Sequence, residues 1–447
     1  MNAFSFKERC LIGLTLFSMF FGAGNLIFPP FLGYLAGEST LSAMSGFAIT
    51  AVAFPILGVI AVARSGGLET LAGRVHPVFA FIFTLLIYLS IGPCLAIPRT
   101  ASTSFEMAVA PLFSGDAIFT GTVMGFEAAT VAQAVYSVVF FTIAYLIALN
   151  PEKLTQRLGK ILSPTLITLI VVLFIASIVH PLGDYAAVRA PYDAGPLFKG
   201  FIEGYQTMDT LAALNFGLII AMNIKAFGIK DEKTVVSETV KAGLIAGLLL
   251  IAIYSALAHI GAEAGGAGFS GENGAQILTA IATAQFGHLG LAFLGAIFFI
   301  ACLNTCVGLL SCCSNYFKVT FPVMGYHGWL ILFVLSSMVF SNAGLTTILK
   351  LSVPVLVGLY PLALVIIVLG LIHPLISGMK RVYPVTMLFT GIASVGQAMN
   401  FAGFPIPGLD PLLKAVPLSS IGLEWVIVAA VGLLIGAVIS PRRAAAN

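Results

Sequence analysis

Apolar residues run through this chain in long stretches separated by short polar breaks. A helix of about 20 apolar residues crosses the roughly 30 Å hydrocarbon core of a bilayer. The stretches predict crossing helices at 9–35, 41–63, 77–108, 131–149, 159–179, 200–224, 238–261, 288–317, 327–341, 343–369, 382–401 and 421–440. The breaks hold the glycines and charges of interfacial loops, as in Arg64-Ser65-Gly66-Gly67 and Glu263-Ala264-Gly265-Gly266. The pattern predicts an all-α integral membrane protein of about 12 transmembrane helices, and in 447 residues it leaves no length for a separate soluble domain.

Composition sharpens this picture. The chain is 59% hydrophobic and only 9% charged, with a mean hydropathy of +1.06. A soluble domain carries about 25% charged residues, so lipid must cover most of this surface. Met1 to Leu11 is followed by no small-residue cleavage site, and a removable signal peptide is not expected. The six cysteines (Cys10, Cys94, Cys302, Cys306, Cys312, Cys313) fall mostly within apolar segments. Cys302 and Cys306 share a helix face with no nearby histidine or carboxylate, so they are read as packing residues rather than metal ligands.

Lysine and arginine set the orientation, because cytoplasmic loops retain them. With the N-terminus inside, the inner loops collect Lys7, Arg9, Arg64, Arg74, Lys153, Arg157, Lys160, Lys225, Lys230, Lys233, Lys241, Lys318, Lys380, Arg381, Arg442 and Arg443. The outer loops keep Arg189, Lys199 and Lys414, while Arg99 and Lys350 remain inside spans. Both termini are expected in the cytoplasm.

Two spans are not plain apolar runs. The first contains Phe21-Gly22-Ala23-Gly24-Asn25 and then Pro29-Pro30, in a segment too long for one straight crossing. Glycine weakens a helix and proline forbids its simple continuation. Small-residue packing would account for Gly22 and Gly24 but not for Asn25. The sixth span carries Gly204-Tyr205-Gln206-Thr207-Met208-Asp209-Thr210 between apolar halves, and Asp209 and Thr210 are expected to cap the half-helix that follows. Span one runs outward and span six inward, so spans 1–5 and 6–10 have opposite topology. Interrupted helices at corresponding positions of two inverted halves point to the central site of a transporter. The expected division is a first repeat over 1–180, a second over 181–370, and two further helices over 371–447.

These motifs carry a resemblance. Phe21 to Pro30, Gly92 to Glu106, Gly204-Tyr205 with Thr207 to Leu211, and Ser352-Val353-Pro354-Val355-Leu356 resemble the bacterial branched-chain amino acid:cation symporter family nearly end to end. The resemblance implies the five-plus-five inverted-repeat fold of the LeuT type. It also implies cation-driven uptake of leucine, isoleucine and valine across the bacterial inner membrane.

In the LeuT-type arrangement the substrate carboxylate meets free amides at the first break, which maps onto Gly22, Ala23, Gly24 and Asn25. The ammonium falls to Gln206, Thr207 and Asp209, with Tyr205 and Phe216 among the apolar walls. A sodium ion is expected between the first and eighth spans, at Ser18, Phe21, Ala301, Asn304 and Thr305; Asn304 departs from the serine- and threonine-rich pair expected there. A second ion is assigned to Asn25, Thr207 and Asp209. Arg99 and Glu106, seven residues apart on span three, are expected as a structural pair or outer-gate contact.

The six histidines fall near span ends, which favours sodium over protons as the coupling ion, with Asp209 the carrier if protons are used. No cofactor besides the coupling ion is expected, and lipid rather than nucleic acid is the surrounding partner. The alternative is a proton- or sodium-coupled carrier of other neutral amino acids. A channel would show repeated polar rings or a filter loop, and an enzyme a motif such as HExxH or GxSxG. Neither is present in the sequence.

Overall fold

The computed structural model describes residues 4–110, 122–123, 125–150, 160–229 and 231–440. The first span is two helices, α1 (Phe6–Phe20) and α2 (Ala23–Ala36). α3 (Thr40–Ala48) and α4 (Phe54–Ser65), joined by a π-turn, form the second. A short α5 (Leu68–Gly73) precedes the third span, α6 (Pro77–Leu89) and α7 (Ala96–Ala108). α8 (Ala128–Ala148) and α9 (Ser163–Val179) are the fourth and fifth, and a two-residue antiparallel ladder stands just before α8. The sixth is again double, α10 (Pro196–Glu203) and α11 (Asp209–Ala226), and α12 (Glu232–Gly266) is the seventh. α13 (Gly274–Phe286) links it to α14 (His288–Thr320), the eighth. α15 (Tyr326–Ser341) and α16 (Leu345–Leu371) are the ninth and tenth. A short α17 (His373–Ile376) leads to α18 (Val382–Phe401), and α19 (Leu409–Ala415) to α20 (Glu424–Val438).

Each predicted span therefore has its helix or helix pair. Of the cationic positions assigned to inner loops, Lys153, Arg157, Lys230, Arg442 and Arg443 lie outside the described residues. The outward faces are apolar, as at Val138 and Val139 on α8, Ile175 and Ile178 on α9 and Leu434 on α20, while Phe17, Phe20, Phe47, Phe216 and Tyr254 are fully buried. The order is that of a protein whose solvent is hydrocarbon.

Helix pairing follows the inverted repeat. α1 and α2 of the first span pack on α12 of the seventh; α10 and α11 of the sixth pack on α3 and α4 of the second; α7 of the third packs on α14 of the eighth. Each pairing maps onto another, or onto itself, when the spans are shifted by five.

The breaks differ in detail from expectation. In the first span only Phe21 and Gly22 leave helical geometry, and α2 runs on through Pro29 and Pro30. The prolines lack N–H donors for the carbonyls of Asn25 and Leu26, which a transmembrane helix tolerates where neighbouring protein covers them. In the sixth span Gly204–Thr207 is a turn of 3₁₀ helix, Met208 takes a left-handed φ of 66°, and the two halves are bent by 51°. Asp209 is the first residue of α11 but its carboxylate does not cap it; the Thr207 hydroxyl instead accepts the Asp209 N–H at 3.4 Å. The third span is also interrupted, at Ser90–Cys94, where Gly92 is non-helical and Pro93 follows.

Polar ties join the helices at both ends. On the side of the N-terminus, Arg9 donates to both carboxylate oxygens of the buried Glu238 (2.7 and 3.1 Å), which also takes Lys241 (2.8 Å). On the opposite side the segment before α10 lies across the ends of α2 and α12. Glu38 N–H donates to the Ala186 carbonyl (3.0 Å), Arg189 N–H to the Leu35 carbonyl (2.8 Å), and Tyr185 meets His259 (2.6 Å).

α2 and α12 touch backbone to backbone. A Cβ on Gly33 would lie 1.9 Å from the Ala258 carbonyl oxygen, and one on Gly261 at 1.9 Å from that of Pro30. Gly33→Ala is expected to force the helices apart and destabilise the purified protein by about 1–3 kcal/mol, read as a lower thermal midpoint in detergent. Gly378→Ala, which meets nothing within 4 Å, is expected to leave the midpoint unchanged.

Candidate functional site

The two breaks face each other, and one side chain ties them. Asn25 Oδ1 accepts the Gly22 N–H (3.0 Å), while its Nδ2 donates to Asp209 Oδ2 (2.6 Å) and to the Tyr254 hydroxyl. Tyr254, on α12, donates to the same Asp209 oxygen at 3.1 Å. Asn25, Asp209 and Tyr254 are 1%, 3% and 0% exposed, so this is a fully desolvated network with each of its bonds made inside the protein. Across from it lies Arg99 on α7, 5% exposed. Its guanidinium donates to the carbonyls of Gln206 (Nη1, 2.9 Å) and Thr207 (Nη2, 3.4 Å), two groups that the 3₁₀ turn withdraws from helical bonding. At position 24 a Cβ would press on Arg99 Nη2 at 3.1 Å and Thr207 Cα at 3.3 Å, so any side chain there would push on the neighbours.

These groups surround a small cavity of about 20 Å³, room for a water molecule but not for an aliphatic side chain. Gly22, Ala23, Gly24, Asn25, Thr207, Asp209 and Thr305 all line it. Arg99, expected at a gate, lines it too. The cavity thus carries a buried guanidinium and a buried carboxyl group, together with the free N–H groups that open α2, where the helix dipole favours negative charge.

Other expected residues stand back from it. Tyr205 stacks on Tyr360 with ring centroids 4.5 Å apart. Gln206 takes part through its carbonyl. Phe216 packs behind Phe20, one of the lining residues, at 5.3 Å. Arg99 and Glu106 do not pair: Arg99 turns to the sixth-span carbonyls, and Glu106 Oε1 accepts the N–H of Leu345 at the start of α16 (3.3 Å). Seven residues put the two side chains on one face, but the helix length between them carries Glu106 to the start of the tenth span.

The expected ion ligands converge on the junction of α1 and α14. A Cβ on Gly22 would sit 2.5 Å from Thr305 Oγ1, so the first break rests directly on the eighth span. Gly22 N–H, committed to Asn25, leaves the Ser18 carbonyl without its helical donor. Among the described residues, Ser18 Oγ, Thr305 Oγ1 and both amide atoms of Asn304 are buried with no hydrogen-bond partner. Buried polar atoms in that state carry a desolvation cost of about 1–3 kcal/mol each. Phe21 stacks on Phe17 and Tyr254, and Ala301 is fully buried.

Tyr254 was not among the sequence-level candidates. Its signal is modest but present: it is the single aromatic residue of the predicted 238–261 span.

Comparison with known proteins agrees with this architecture. Among solved structures, the chain is similar in fold to Mhp1, a nucleobase-cation-symport-1 family transporter in a closed conformation with bromovinylhydantoin bound (TM-score 0.58, 13% identity, 98% of this chain and 94% of that one). It is similar also to MhsT in complex with L-phenylalanine (TM-score 0.52, 15% identity, 98% and 99%). At those identities the likeness speaks for the fold, the LeuT type with broken first and sixth helices. In sequence it is 40% identical to the branched-chain amino acid permease BraB of Bacillus subtilis over 437 residues (97% of this chain, 96% of that one). It is 38% identical to the branched-chain amino acid transport system 2 carrier protein of Pseudomonas aeruginosa over 442 residues (97% and 98%). Residues 5–443 match the family described as branched-chain amino acid transport protein. The chain is a multi-pass membrane transport protein, not an enzyme, and it belongs to the branched-chain amino acid transport protein family.

Proposed function

We propose that this protein is a sodium-coupled symporter that imports leucine, isoleucine and valine across the bacterial cytoplasmic membrane, with both termini in the cytoplasm. The observation that carries the reading is the placement of Arg99 and Asp209 on one desolvated cavity between two broken helices. A zwitterion has one charge for each. Its carboxylate turns to Arg99 and to the N–H groups of Ala23 and Gly24; its ammonium turns to Asp209 and the Thr207 hydroxyl. The aliphatic side chain needs more room than the closed cavity has, so cargo enters and leaves only as the helices part. The repeats over 1–180 and 181–370 are the bodies that move, and sites exposed alternately to the two sides follow from that motion.

Sodium belongs where hard oxygen ligands stand unused. The Ser18 carbonyl, Thr305 Oγ1 and the Asn304 side-chain oxygen supply them, with carbonyls from Phe21 and Ala301, and this supports sodium rather than protons. Asn25, Thr207 and Asp209 are the proposed set for a second ion beside the substrate. The competing reading is a proton carried by Asp209, or a different neutral amino acid as cargo.

Two experiments test this. In proteoliposomes with an inward sodium gradient, labelled leucine uptake is expected to be concentrative, saturable and absent from a sodium-free control. Thr305→Ala is expected to raise the sodium concentration for half-maximal uptake about tenfold, the equivalent of about 1.4 kcal/mol. Equal uptake under a proton gradient alone would replace sodium with the Asp209 proton.

The second experiment separates the two charges. Wild type should take leucine and discriminate against both leucinamide, which lacks the carboxylate, and 4-methylpentanoate, which lacks the ammonium. Arg99→Gln should narrow the first discrimination by about 10- to 100-fold, the range for one charged hydrogen bond, and leave the second intact. Asp209→Asn should do the reverse. A parallel loss of all binding in both variants, without a change in preference, would reduce the two residues to structural roles.

A further inference from the structure

A second, larger cavity opens on the far side of the sixth-span break from the central one. It has a volume of about 820 Å³, within the range typical of small-molecule sites. It lies between the start of the sixth span and the segment joining α18 to α20, on the face opposite the N-terminus. Tyr205 lines this cavity and Thr207, two residues on, lines the central one.

The chemistry of this cavity is uneven in an informative way. Glu424, the first residue of α20, lines it; the residue is 6% exposed, and its Oε2 is buried without a hydrogen-bond partner among the described residues. The opening turn of α20 favours an anion there, yet an unpaired buried carboxylate remains costly until a cation reaches it. The same cavity carries Lys199 and Lys414. Among the described residues each is paired within its own helix, Lys199 with Glu203 (2.9 Å) and Lys414 with Asp410 (2.7 Å). Such i,i+4 pairs at partly exposed positions are weak and yield readily to a better anion. The rest of the wall joins apolar residues such as Ile202 and Leu413 to the amides of Gln397 and Asn400 and the carboxylate of Asp410.

A buried anionic end, two releasable cations and a partly apolar wall are complementary to an amino acid with an aliphatic side chain. We propose that this cavity is a second binding site for such a zwitterion, with its ammonium at Glu424 and its carboxylate at Lys199 and Lys414. The identity of the ligand rests on the branched-chain reading above; the site itself rests on Glu424. Occupancy would bear on Tyr205 and so on the 3₁₀ turn that forms one wall of the central site.

The test is the number of leucine molecules bound per chain, measured by equilibrium dialysis with purified protein in sodium. Wild type is expected to bind two. Glu424→Gln, of nearly the same shape, is expected to bind one and to keep sodium-driven uptake in proteoliposomes. Ser420→Trp, at an exposed lining position, places a bulky ring at the cavity while keeping Glu424 and should also bind one; it gives the same reading if Glu424→Gln fails to fold. One leucine on the wild type, or two retained by Glu424→Gln, overturns the proposal and leaves the central site standing. No leucine bound to the wild type overturns the branched-chain reading itself and this site with it.

Discussion

Two helices interrupted within a bilayer expose N–H and C=O groups that hydrocarbon cannot satisfy, and the whole centre of this protein is arranged around that constraint. Each break is satisfied in part by side chains, two of them local and one from the third span. Asn25 folds back onto the Gly22 N–H and reaches across to Asp209. Arg99 takes the two carbonyls that the sixth-span turn releases, and Thr207 takes the N–H that opens α11. The polar residues that make the site chemically interesting are thus the same ones that make the backbone tolerable there. Removing any of them exposes a buried group as well as altering the cavity, which is why substrate preference, rather than loss of transport, separates their roles.

The seventh span links this centre to both faces. α12 carries Glu238 near one end, Tyr254 in its middle and Glu263 near the other. At 1.5 Å per residue these stand about 24 Å and then about 14 Å apart. Glu238 holds α1 through Arg9, Tyr254 holds the break through Asn25 and Asp209, and Glu263 bonds Ser177 of α9. α1 and α2 are joined by the two non-helical residues Phe21 and Gly22, and both half-helices pack on α12. Under the proposed alternating access, the non-helical junction at the polar centre would serve as the hinge, and the Arg9–Glu238 tie as a contact to be released.

Much of this was legible in the sequence because the bilayer imposes a length rule. Spans of about 20 apolar residues announce themselves, and two glycine-bearing polar interruptions five spans apart announce the inverted repeat. The positions lining the first break, Gly22 to Asn25, were readable from the same interruptions, as were Thr207 and Asp209, whereas Thr305 followed from the family resemblance. Contacts between distant segments were not. Tyr254 sits in an ordinary apolar run, and only folding brings its hydroxyl to Asp209. Arg99 and Glu106 share a helix face, yet their partners are set by which span packs at each depth. Tyr205 and Phe216 are apolar neighbours of a polar motif, and sequence does not say which side of the helix faces the cavity. The Pro29-Pro30 pair misled in the opposite direction: a strong helix breaker in water is accommodated here because surrounding helices cover the carbonyls it frees.

The charge balance of the centre also bears on how uptake would be driven. In the proposed arrangement Arg99 and an ionised Asp209 would contribute opposite charges to one cavity and a zwitterionic cargo would add none, so the loaded and unloaded sites would differ in charge only by the coupling ion. Each elementary charge moved across the membrane gains about 2.3 kcal/mol per 100 mV. One sodium ion per cargo molecule would therefore be drawn inward by the potential as well as by its own gradient. A proton on Asp209 would carry the same single charge, so electrogenic uptake alone does not separate the two ions. What separates them is where the charge resides. A proton removes the negative partner of the substrate ammonium and weakens cargo binding at the moment of coupling. Sodium at Ser18, Asn304 and Thr305 leaves that partner intact and instead draws the first break against the eighth span, so that ion and cargo favour the same closed arrangement.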